Sequence, residues 1–209
     1  MNKKLIENRN KHIGPNFELH YKSPIYLVKS KGQYLYDNSG KKYLDAIGNI
    51  NLVGHCNKHV IDAIYNQSSI LNTNTRYLYD IMKKYSEKLL KYFPNKLSVI
   101  YFVCSGSEAN DLALRMANNY TNGSEYFVID NAYHGHTSSL IDLSPYKFNN
   151  KGGRGKKPFV HVLDMPDGVR GKYQYNEDNW IDKYVNDAKK LINKINSNKN
   201  ISAFFAESI

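Results

Sequence analysis

Val99-Ile100-Tyr101-Phe102-Val103-Cys104-Ser105-Gly106-Ser107-Glu108-Ala109-Asn110 joins an unbroken apolar run to a serine–glycine turn and the start of a helix. The run of strand length predicts a strand buried on both faces. Ala109, Leu112, Met116 and Tyr120 then recur at helical spacing. Strand, glycine turn and amphipathic helix, in that order, open a parallel β-α-β unit. The first N–H groups of such a helix lack internal partners and carry the positive end of its dipole, so a phosphate would bind at Gly106 and Ser107. Ser105 with Glu108 three residues on is also a capping box that needs no ligand, and the motif alone supports both readings. It has neither the lysine of a Walker loop nor the spacing of a dinucleotide turn.

The same alternation continues downstream. Tyr126–Ile129 and Phe159–Leu163 read as further strands, Ile181–Ile195 as a helix with Val185, Ala188, Ile192 and Ile195 inward, and Ile201–Ala206 as a last buried strand. Ligands of open α/β sheets sit beyond the carboxyl ends of strands, so Glu207 falls where a site is expected. The sequence stops at Ile209, directly after that strand, which predicts a domain cut part-way. Asn149–Gly155 reads as a mobile surface loop. Upstream, Leu78, Ile81, Met82, Tyr85, Leu89 and Phe93 make a helix closed by Pro94, and His59–Ser69 makes another. Residues 25 to 46 read as a small β-meander with turns at Lys31-Gly32 and Asn38-Ser39-Gly40. The expected class is α/β: a partial mixed or parallel sheet with flanking helices and a small N-terminal meander. Its expected division is 1–70, with the meander and first helix, and 71–209, the first part of a larger domain.

Composition narrows the partners. Of 209 residues 41% are hydrophobic, and 18 Tyr with 8 Phe can fill a core, which excludes a disordered chain. The net charge is +10, yet 24 of the 29 basic residues are Lys and they are scattered, whereas nucleic-acid readers use clustered Arg. No nucleic-acid partner is expected. Two cysteines, Cys56 and Cys104, make no disulfide framework or metal site and are expected to be small buried apolar groups. No window approaches the roughly 20 apolar residues of a membrane span, and Met1–Arg9 has no signal-peptide core, so no membrane partner and a cytoplasmic location are expected.

A second strand end carries chemistry. Asp130 runs into Asn131-Ala132-Tyr133-His134-Gly135-His136-Thr137, where an exposed Tyr could stack on a flat ring and His134 could hydrogen-bond to it. The alternative is a satisfied loop histidine beside a core tyrosine. His134 and His136 lack the Cys or acidic partners of a zinc site, so no metal is expected.

Four ordered blocks carry a family resemblance. They are Gly40–Asp45, Val53-Gly54-His55, Ser105–Arg115 and Tyr133–Thr137, and together they resemble the class-III aminotransferases, pyridoxal-phosphate enzymes of fold type I. Leu71–Leu78, Ser139–Phe148, Arg170–Tyr173 and Phe205–Ser208 are similar to the phospho-lyase branch, which acts on phosphoethanolamine or phosphohydroxylysine. The resemblance implies that Gly106 and Ser107 hold the phosphate of pyridoxal 5′-phosphate, that Tyr133 stacks on its ring with support from His134, and that Glu207 borders the pocket. It also implies substrate-side roles for Asn49 and Asn51, a small-molecule amine substrate, and a homodimer. One departure is Asn57-Lys58, where the family has His-Pro, which alters a helix start. Pyridoxal chemistry needs a Schiff-base lysine and an acid at the ring nitrogen, and both lie past Ile209 in the family. No lysine here stands in a matching context, so no catalytic residue is assigned and the chain alone is expected to be inactive. The branch implies a lyase; transamination to a keto acid and a non-catalytic cofactor-binding fragment are the alternatives.

Overall fold

A computed structural model describes residues 2–15, 17, 19–48 and 50–207. Contacts divide the chain into two units, Met1–Lys83 and Lys84–Ile209. Among the described residues no helix is long and apolar enough to cross a membrane.

The first unit holds helix α1 (Asn2–His12), strands β1 (Leu27–Lys31), β2 (Tyr34–Asp37) and β3 (Lys42–Leu44), and helix α2 (Lys58–Ile70). The strands form an antiparallel meander, with Lys31 opposite Tyr34 and Tyr34 opposite Leu44. Asp37 fixes its second turn. Its carboxylate accepts from Ser39 N–H at 2.8 Å, Ser39 Oγ at 2.6 Å and Lys41 N–H at 3.0 Å. The Ser39 hydroxyl foremost, joined by Tyr43 and backbone N–H groups, holds the Asp37 carboxyl down at about 2. Asn57 is the N-cap of α2, accepting from Val60 N–H, so the departure at Asn57-Lys58 still starts a helix.

The second unit is a three-layer α/β arrangement. Helix α3 (Asp80–Leu90) leads into it across the division, followed by α4 (Gly106–Thr121), β4 (Glu125–Ile129), α5 (Ser138–Asp142), α6 (Pro145–Phe148), β5 (Val160–Leu163), α7 (Trp180–Asn196) and β6 (Ile201–Phe205). The sheet order is β5-β4-β6 and both pairings are parallel. Because strand side chains alternate, Tyr126 and Val128 face one side and Phe127 and Ile129 the other. The first side packs with Val160 on Leu114 of α4, Leu140 of α5, Leu143 just after it, and Phe148 of α6. On the second side, Ile181, Tyr184, Val185, Ala188 and Ile192 of α7 line an apolar groove with Phe127, Leu163 and Phe204. Central β4 is buried from Glu125 to Val128, which is why this strand reads as continuously apolar after its first residue.

Three expectations are corrected. Val99–Val103 forms no strand, and Val99 and Tyr101 are 73% and 62% exposed. A doubly buried strand needs a ladder on each edge, and among the described residues this segment has none. Among the described residues β6 is an edge strand rather than a buried one: β4 pairs it on one side only, and Phe204 is 57% exposed. Both cysteines are exposed. Cys56 sits at positive φ in the turn before α2, where its thiol bonds Ser30 O, and Cys104 ends the unpaired segment.

Candidate functional site

The start of α4 forms one wall. Ser105 is extended and its Oγ accepts from Glu108 N–H at 3.1 Å, while Glu108 Oε2 reaches back to Cys104 N–H at 2.7 Å. The capping box is therefore real, with the carboxylate one residue further back than in the usual pattern. It leaves the N–H groups of Gly106 and Ser107 without a partner among the described residues. A Cβ on Gly106 would meet nothing within 4 Å, so the backbone at the start of α4 is uncrowded on that side.

The loop after β4 forms the other wall. Gly135, at φ +139, is what brings it close: a Cβ there would stand 2.6 Å from Leu140 Cδ1 and 2.9 Å from Ser107 Oγ. With that side chain missing, His136 N–H donates to Ser107 Oγ at 3.2 Å. The Ser107 oxygen thus accepts from the loop, and its own proton is left to donate elsewhere.

His134 is held by its backbone. Its N–H donates to Ser144 Oγ at 2.9 Å and its carbonyl accepts from Asn110 Nδ2 at 2.8 Å. Ser144, fully buried, passes its proton to Leu140 O at 2.6 Å. The His134 ring lies 5.6 Å from that of Phe205, the residue is 5% exposed, and its Nε2 is a buried polar atom with no partner among the described residues. Burial pushes its pKa below the usual histidine value, against the pull of the Glu207 charge. An orphaned buried nitrogen is uncommon and marks a place where a ligand atom would be accommodated.

Tyr133 N–H donates to Glu207 Oε2 at 2.8 Å, which fastens the loop to the residues following β6. Its ring meets Tyr146 edge-on at 6.3 Å. Gly106, Ser107, Tyr133, His134 and Glu207 are therefore drawn together at the carboxyl ends of the strands within one unit. Asn51 belongs to the other unit, where its amide engages His55 Nδ1 at 3.0 Å and His55 Nε2 engages Asp45 at 2.7 Å. Asn49 lies outside the described residues. Ser144, Asn110 and Asp111 fall inside the quoted sequence blocks but are given no role of their own there. Asp111 accepts from Thr137 Oγ1 at 3.3 Å and from Ser139 Oγ, tying α4 to the start of α5.

The family model for aminotransferase class-III matches residues 18–209. The chain belongs to the class-III aminotransferases. Two curated relatives of this class-III chain are a Drosophila melanogaster protein named alanine–glyoxylate aminotransferase 2-like and a Caenorhabditis elegans protein named ethanolamine-phosphate phospho-lyase homolog 1. The first is 41% identical over 98% of this chain and 42% of its own length. The second is 36% identical over 98% and 46%. A solved phospholyase from Arthrobacter in complex with phosphoethanolamine superposes with a TM-score of 0.87 at 34% identity, over 97% of this chain and 47% of that one. A taurine:2-oxoglutarate aminotransferase from Bifidobacterium kashiwanohense, in complex with PLP and glutamate, shares the fold at a TM-score of 0.79 and 18% identity. The fold is that of the fold type I transferases. The chain spans a little under half the length of the relatives it matches.

Proposed function

We propose that this chain supplies the phosphate cradle and ring-flanking residues of a pyridoxal 5′-phosphate enzyme acting on a primary amine, a phospho-lyase on an amino-alcohol phosphate such as phosphoethanolamine. The observation that carries the cofactor is the apposition of two unpartnered N–H donors at the start of α4 with a loop whose buried histidine has a nitrogen left over. The residues fit the group. Gly106 and Ser107 would donate backbone N–H groups to its phosphate, and Ser107 its hydroxyl proton as well. Tyr133 would flank the ring. His134, kept neutral by burial, would offer Nε2 without bringing a second positive charge. When bound, the cofactor supplies an electron sink for charge developing on the substrate carbon beside the amine. Glu207, through Tyr133 N–H, and Ser144, through His134 N–H, hold the loop in place. The covalent link to the cofactor is assigned to no lysine of this chain. A homodimer and a cytoplasmic setting complete the proposal.

The lyase outcome is supported by the C. elegans relative and the Arthrobacter structure, both matched across nearly all of this chain. The D. melanogaster relative, at higher identity, supports transamination as the second reading. Phosphoethanolamine given to the intact protein without any keto acid separates the two. A lyase consumes water and releases phosphate, ammonia and acetaldehyde together. Amino transfer that begins only when a keto acid is added would leave the transaminase reading.

A further inference from the structure

Beside the cofactor cradle lies a second cavity, of about 500 Å³, between α5, α6 and the loop at residues 151–155. Four cations line it, Lys147, Lys151, Arg154 and Lys157, against one carboxylate, Asp142. That carboxylate is engaged by Lys157 at 3.8 Å. The loop is tied to the end of α6 by its backbone: a Cβ on Gly153 would stand 2.4 Å from Phe148 O, and Gly155 N–H donates to the same oxygen at 3.2 Å. Lys151 and Arg154 flank the glycine pair.

Lys147 connects this cavity to the cradle. Its ammonium lies 5.4 Å from the centre of the Tyr133 ring and 5.3 Å from that of Tyr146. No carboxylate pairs with it among the described residues. Aromatic faces attract an ammonium without accepting conventional hydrogen bonds, so its three N–H donors stay available to an anion. A compact point charge on a long stem suits a phosphate monoester.

We propose that this cavity is an anion site that receives the phosphate of a phosphorylated amine substrate, with Lys147 as its inner contact and Lys151, Arg154 and Lys157 as its outer ring. The substrate part of this assignment rests on the phospho-lyase reading above. It extends that reading by giving the group that leaves its own cations, apart from the Gly106 and Ser107 donors of α4, so that two phosphates are held at two separate sites.

The test titrates the cofactor-loaded intact protein with inorganic phosphate by calorimetry, which needs no turnover. Lys147→Gln, Lys147→Arg and a Lys151→Gln/Arg154→Gln pair are compared with the parent. The three substituted positions line the cavity and lie outside the core, and cofactor absorbance checks that the cradle is intact. The expected result is saturable binding that weakens at least tenfold in Lys147→Gln and severalfold in the pair, with partial rescue in Lys147→Arg. KM for phosphoethanolamine should rise in parallel while kcat changes less. Equal phosphate binding by parent and variants overturns the site. Absence of phosphate release by the parent enzyme defeats the lyase reading and the substrate assignment with it. The titration then still reads the anion site, which stands if Lys147→Gln loses binding and falls if it does not.

Discussion

The two units of this chain are built on different terms. Among the described residues every buried one lies between Leu114 and Ser202, in the parallel-sheet unit. The meander unit has none, and Ile50, Leu52 and Leu78 are 87%, 89% and 104% exposed. Its order comes instead from local chemistry: the Asp37 turn, the Asn57 cap, and the Asp45–His55–Asn51 chain. Turn and cap chemistry can specify elements without specifying a core, whereas a site needs the rigidity a core supplies. All of the cradle residues stand in the buried unit.

The largest effect should follow from opening the core beneath the cradle. Leu140 is fully buried and packs in the cluster with Val128 and Val160. Leu140→Ala in the intact protein should cost about 2–5 kcal/mol in denaturant unfolding. A cost under 1 kcal/mol would erase the contrast between the units. Gly135→Ala comes next. Both its φ of +139 and the Ser107 contact oppose a Cβ, so about 1–3 kcal/mol of stability and most of the cofactor affinity should be lost together. Retained affinity, measured by equilibrium dialysis, would mean that the loop need not touch α4.

Ser144→Ala removes the only acceptor described for a buried N–H, that of His134, and should cost about 1–3 kcal/mol. Acid sharpens the comparison further. His134 has a folded pKa below its ordinary value, so the unfolded chain binds the extra proton first. Stability attributable to it is complete above about 6.5 and falls as pH drops below that value. His134→Asn should flatten this part of the stability profile, and an unchanged slope would remove His134 as its cause. Glu125 acts lower down. Lys199 first, and His161 after it, hold its carboxyl below the usual value despite burial, so its contribution disappears as pH falls below the ordinary glutamate range. At the small end, Lys58→Ala breaks an exposed ion pair on α2 and should leave the melting temperature unchanged.

Much of this was legible in the sequence where the cause is local. Ser105-Gly106-Ser107-Glu108 reads as a capped helix start because capping depends on residues three apart, and the α-helical and strand periods of α4, α7 and β4 are properties of short windows. Tyr133 and His134 were legible as a polar strand end. What was not legible depends on distant partners. Ser144 matters only because the turn from α5 into α6 returns it to His134, ten residues back. Val99–Val103 is apolar enough for a central strand, but apolarity reports what a segment can bury, not whether a pairing edge stands beside it. Cys56 and Cys104 were misplaced for the same reason: a small apolar side chain is compatible with a core without requiring one.

The central claim is that the start of α4 holds a phosphate, and Ser107→Asp tests it most directly. An acidic residue is favoured in the first turn of a helix and can still accept from His136 N–H, so the fold should be retained. Its charge would oppose an anion at Gly106 and Ser107. Equilibrium binding of pyridoxal 5′-phosphate and of pyridoxal to the intact apoprotein should show the phosphorylated form weakened at least a hundredfold and the unphosphorylated form little changed, at an unaltered melting temperature. Pyridoxal 5′-phosphate binding as tightly to the variant as to the parent would contradict the account.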